Sequence, residues 1–127
     1  MENFGELNHL AIAVGVVVAF LVGWLWYSPK LFGEKWAQGS KVELGSAQSM
    51  PVFAMVAQLV ALIFLALVIG ITAEVEALIT AIVAILACAT FVASSGGFSQ
   101  KSNYAIAVDF FYIVVSGVVM IVCQGIF

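Results

Sequence analysis

The sequence predicts an all-α integral membrane protein: a four-helix bundle with an interfacial amphipathic segment between the first and second spans. Three observations predict it. Apolar residues make up 65% of the 127 residues and charged ones only 9%, with a mean hydropathy of +1.21, far above the soluble average. Four apolar runs recur, each long enough for the ~20 residues that cross a ~30 Å hydrocarbon core. The stretch from Gly23 to Trp36 closes the first run with two Trp, a Tyr and Pro29 before lysines begin. Trp and Tyr join an apolar body to a polar edge and settle at headgroup depth. Pro29 cannot continue a helix and turns Ser28 away from helical geometry.

In chain order, residues 1–127 form one transmembrane domain with spans at about 7–28, 51–73, 75–97 and 104–127. The opening residues are acidic and lack the basic start and cleavage site of a secretory signal, so the first run is expected to be a retained span. Within it Ala11, Gly15, Ala19 and Gly23 recur every fourth residue. Such a stripe lets another backbone approach closely, within the bundle or from another subunit. Residues 30–49 mix Leu31, Phe32, Trp36, Val42 and Leu44 with Lys30, Glu34, Lys35, Lys41 and Glu43. That mixture suits a segment lying on the membrane surface, broken by Gly33, Gly39 and Gly45. Ser49 and Pro51 read as the cap and first turn of the second span. Glu74-Val75-Glu76 is a tight turn that makes the second and third spans antiparallel neighbours.

The net charge is -3, with four lysines and no arginine. A nucleic-acid partner needs a basic surface and is excluded. Lys30, Lys35, Lys41 and Lys101 all fall in the first and third loops, which share one side of a four-span protein. The positive-inside rule puts those loops in the cytoplasm and both termini outside.

The aromatic stretch L-W-Y-S-P-x-L-F-G-x-x-W, Leu25 to Trp36, resembles the hallmark of a family of small bacterial inner-membrane proteins of unknown function. The last span, with Asp109, Tyr112, Ser116 and Met120, is similar to that family's aspartate-containing fourth helix. The chain departs from the family's E-G-R type third loop, having Gln100-Lys101-Ser102. The resemblance implies a four-helix bacterial inner-membrane protein and carries no activity with it.

Asp109 is the ionisable residue set inside a span. It shares a helical face with Tyr112, Ser116, Val119 and Cys123. Gln58 and Thr90, with Ser94, approach the same depth from the second and third spans. The expected result is a polar intramembrane layer of Asp109, Tyr112, Ser116, Gln58 and Thr90. Asp109 is there either neutral or paired with Lys30 or Lys101 by snorkelling. The functional alternative is a proton or cation site, since intramembrane carboxylates often mark pathways. Trp24, Trp26, Tyr27, Ser28, Pro29, Phe32 and Trp36 are expected to form the interfacial motif, with the aromatic rings as a belt. His9 reads as a polar anchor, and Cys88 and Cys123 lie at depths too different for a bridge within one protomer.

No nucleophile, base or metal constellation is legible, so no enzyme, cofactor or metal is expected. The expected function is a self-associating structural or accessory membrane subunit with lipid and other membrane subunits as partners. The alternative is an oligomeric channel or proton/cation-coupled carrier using Asp109.

Overall fold

The computed structural model describes residues 5, 7–41 and 52–127. They form five helices: α1 (His9–Trp26), α2 (Gly33–Ser40), α3 (Val52–Glu74), α4 (Leu78–Phe98) and α5 (Asn103–Ile126). Four of them, α1, α3, α4 and α5, are long and apolar enough to cross a membrane. The short α2 falls between the first two spans, where the amphipathic segment was expected. It starts at Gly33 and contains Gly39, so these glycines do not fragment it. The Ser49 cap, Pro51, Gly45 and the apolar residues Val42 and Leu44 lie outside the described residues, as do Glu2 and Glu6.

Local chemistry sets the helix ends. The Asn8 side chain accepts the Ala11 N–H at 3.0 Å, satisfying one of the free donors of the first turn of α1. Ser102 caps α5 in the same way, accepting from Ala105 at 3.1 Å. At the end of α3 the Ala77 N–H reaches Thr72 O (2.8 Å) and the Glu76 N–H reaches Ala73 O (3.2 Å). This paired closure leaves Glu76 at φ 54°, the left-handed position that a glycine usually fills.

The bundle is organised around α5, which touches all four other helices. Of its most apolar window 39% is buried, against 22%, 22% and 17% for α1, α3 and α4. The apolar core joins Val16 and Ala19 of α1, Leu62, Leu65, Ala66 and Ile69 of α3, Ala81 and Ile85 of α4, and Met120 of α5. Outward faces carry large apolar side chains such as Phe53, Phe64 and Phe91, as a lipid-facing surface requires.

The stripe on α1 is used inside the protomer. Ala11, Gly15, Ala19 and Gly23 are all buried, and Gly15 and Gly23 face α5. A Cβ at Gly15 would lie 3.3 Å from Met120 Cγ, and one at Gly23 would lie 2.6 Å from the Tyr112 hydroxyl. The Tyr112 hydroxyl donates to Ala19 O at 2.9 Å across this same contact. The stripe therefore brings α1 against α5 and leaves no small-residue face on α1 for a second copy.

Gly23→Ala should push Tyr112 off Ala19 and cost about 1–3 kcal/mol, the usual range for overpacking. Gly97, whose Cβ would meet nothing within 4 Å, gives the opposite sign: Gly97→Ala should stabilise by up to about 1 kcal/mol through helix propensity. Thermal unfolding of the purified variants in one detergent checks both. Equal midpoints for Gly23→Ala and Gly97→Ala would contradict the α1–α5 contact.

Candidate functional site: the Asp109 cluster

The site begins where α1 stops. Ser28 O accepts from Leu31 N at 3.1 Å, with Pro29 at the second position of this turn, a place its fixed φ suits. The chain then doubles back. Phe32 N–H reaches Trp26 O at 3.2 Å and Gly33 N–H reaches Ser28 O at 2.9 Å. A Cβ on Gly33 would collide with the Tyr27 carbonyl, so the tight return needs glycine. One turn into α2, Trp36 arrives over α5.

The far wall is built at the junction of α4 and α5. Gln100 and Lys101 N–H groups return to Gly97 O and Gly96 O, both at 3.0 Å, with Gln100 at φ 60°. The reversal brings Lys101 back towards the second turn of α5. Ser102 N–H donates to Gly39 O at 3.0 Å, pinning the end of α2 to this loop.

Asp109 lies where these segments meet. Its Oδ1 accepts the Tyr27 hydroxyl at 2.6 Å and the Trp36 indole N–H at 2.9 Å. Its Oδ2 pairs with Lys101 Nζ at 2.8 Å. The Asp109 side chain is 10% exposed and that of Lys101 26%, so the pair is half sheltered rather than sealed. The Lys101 ammonium also lies 5.5 Å from the centre of the Trp36 ring. Around the carboxylate the rings interlock. Tyr27 stands edge-on to Trp36 (4.9 Å) and to Tyr112 (5.6 Å), and Trp26 packs on Phe32 at 4.7 Å. The Trp26 indole donates to Val108 O at 3.0 Å.

The residues read from sequence separate into two groups. Asp109, Tyr112 and Ser116 form one buried face of α5, and Gln58 is half-buried on α3. Thr90 does not join them. It is exposed, and its hydroxyl donates to Leu86 O of its own helix at 2.7 Å, the usual resort of a Thr on the outer face of a helix. Ser94 is exposed too. The aromatic belt is corrected in the same way. Trp24, 74% exposed, points away from the bundle as a belt residue would. Trp26, Tyr27 and Trp36 turn inward, because the Asp109 carboxylate and the Val108 carbonyl of α5 take their polar edges, and Phe32 follows by packing on Trp26. Ser28 and Pro29 serve the turn. Cys88 is exposed, Cys123 is buried, and both are free.

Sequence reasoning named Lys101 as one of two candidate partners of Asp109. It missed Tyr27 and Trp36 as donors. The available signal was that the aromatic stretch and the Asp109 face end on the same side of the membrane.

Chemically the arrangement is a carboxylate whose two oxygens receive three donors, one of them a full positive charge. Hydrogen bonds to a charged acceptor are worth about 1.5–3 kcal/mol each when made. Removing one member of a sheltered pair is harmful because it strands the other. Among the described residues no three His, Cys, Asp or Glu side chains converge as metal ligands.

Asp109→Asn should cost about 1.5–3 kcal/mol, since the amide keeps a hydrogen-bond acceptor but leaves Lys101 uncompensated. Asp109→Leu should cost more, about 3–5 kcal/mol, by stranding Tyr27, Trp36 and Lys101 together. Denaturation midpoints in detergent micelles rank the three proteins. A midpoint for Asp109→Asn equal to wild type would mean that the charge contributes nothing.

The chain matches a family model described as a protein of unknown function, DUF1761, over residues 10–125. No curated protein and no solved structure matches it. The matched region spans both the aromatic turn and the Asp109 helix, and the chain belongs to the DUF1761 family.

Proposed function

We propose that this protein is a non-catalytic structural or accessory subunit of the bacterial inner membrane. In this reading it self-associates, and Asp109 acts as a fastening rather than a carrier of protons or ions. The observation that carries the reading is the engagement of both carboxylate oxygens: Tyr27, Trp36 and Lys101 hold them from three separate segments. A transported cation or proton needs a carboxylate that can exchange its partner, and a route beyond it. Past Asp109 the buried polar side chains of α5 end at Ser116. Thr72, buried towards the opposite end of the bundle, is used within its own helix, donating to Ile69 O at 2.9 Å. The lysine distribution supports placing α2 and the α4–α5 loop in the cytoplasm, with both termini on the other side.

Because the α1 stripe is used against α5, the self-association face is assigned to α4. Thr80, Val83, Ala87, Thr90, Ser94 and Gly97 are exposed and alternate at spacings of three and four. This is the seam of small and hydroxylated side chains that lets two membrane helices approach.

Two measurements on the same preparation test the proposal. In vesicles loaded with a pH-sensitive dye, the wild type should carry no proton or alkali-cation flux above protein-free vesicles. Flux in the wild type that disappears in Asp109→Asn would overturn the structural reading in favour of a channel or carrier. By native mass spectrometry the protein should exceed one copy, and Ala87→Trp should shift it towards the monomer. A wild-type monomer would remove self-association from the account.

A further inference from the structure

A second feature lies at the opposite end of the bundle from Asp109. Helices α3 and α4 are joined by three residues, yet α4 leans on α5 far more than on α3. Between these two helices and the end of α5 a cleft of about 180 Å³ remains, open on one side and walled by Ile69, Thr72, Ala77, Ala81, and Ile121 and Gln124 of α5. Ala77 and Ala81 are too small to close it. Its floor is apolar, and Ile69 and Ala81 are buried.

In a bilayer such a cleft opens on hydrocarbon. Left empty, its walls would forfeit their dispersion contacts, so an acyl chain is the natural filling. The position of the cleft beside the α3–α4 turn sets that lipid's headgroup against the turn. There the protein presents Glu76, which lines the cleft, and the exposed Glu74. The four lysines lie in the loops at the other ends of the helices, so nothing of that kind offsets these two carboxylates. Glu76 also holds a left-handed backbone, φ 54°. A side chain there is disfavoured relative to glycine.

We infer that the α3–α4 cleft is a lipid site, taking an acyl chain between Ala77, Ala81 and Ile121 and preferring a headgroup that bears a primary ammonium, as in phosphatidylethanolamine. The ammonium pairs with Glu76, with Glu74 adding to the local field. An anionic headgroup is repelled by the same two carboxylates.

The test uses the full chain in detergent, with phosphatidylethanolamine and phosphatidylglycerol of identical acyl chains added in turn. Bound lipid is counted by native mass spectrometry and thermal stability is followed in parallel. The wild type should retain phosphatidylethanolamine several-fold better than phosphatidylglycerol and gain stability only from the former. Glu76→Gly is the informative variant, because it removes the carboxylate while relieving the backbone. It should melt at or above the wild-type temperature and yet lose the preference. Ala77→Leu, which fills the cleft, should lower retention of both lipids. Equal retention of the two lipids by the wild type overturns the inference, as does a preference that survives Glu76→Gly or retention undiminished in Ala77→Leu.

Discussion

Four segments of the chain meet at the two carboxylate oxygens of Asp109: the residue after α1, the middle of α2, the α4–α5 loop and α5 itself. A carboxylate about 9 Å into a membrane helix, counting six residues from Asn103 at 1.5 Å each, is an expensive thing to bury. It is tolerated because Lys101 supplies the opposite charge and Tyr27 and Trp36 supply the remaining donors. The same donors have to be delivered from elsewhere in the chain, and much of the local architecture serves that delivery. The Pro29 turn, the Gly33 return and the left-handed Gln100 are each understood as means of bringing a side chain to one point.

This coupling explains why an eight-residue helix such as α2 can be held at all. Isolated helices of that length are unstable in water, and α2 buries little beyond Gly33 and Ala37. Its fastening is polar at two places, Trp36 on Asp109 and Gly39 O on the Ser102 N–H. The other half of the bundle is held by different physics. There the close approach of α1 to α5 at Gly15 and Met120, and the core around Leu62, Ile69, Ile85 and Met120, rely on packing. One end of the molecule is specified by hydrogen bonds and charge, the other by shape.

The spans were legible in the sequence because a bilayer demands an apolar helix of a set length, and that demand is written continuously along the chain. The end of α1 was legible for the same reason, from Pro29 and the rings before it. The buried face of α5 could be read from the spacing of Asp109, Tyr112 and Ser116. What could not be read was which helix each face meets. Trp36 is 73 positions from Asp109, and no periodicity links an indole in one short helix to a carboxylate in a later one. Tyr27 and Trp26 looked like belt residues because a belt and an inward cluster use the same amphipathic rings at the same depth. Thr90 has the right depth for the polar layer but the wrong side of α4, and in an all-apolar helix the hydropathy pattern does not say which side faces protein. The α3–α4 cleft was invisible for a simpler reason: Ala77 and Ala81 are ordinary residues at the start of an apolar helix until Ile69 and Ile121 are placed around them.

Asp109 holds α2 on the bundle through Trp36, and amide hydrogen exchange of residues 33–40 reads this most directly. In Asp109→Leu, which removes the acceptor of the Trp36 indole, those amides should lose protection relative to wild type while residues 62–70 of α3 exchange at the wild-type rate. Unchanged protection across α2 in that variant would contradict the account, because α2 would then be held without Asp109.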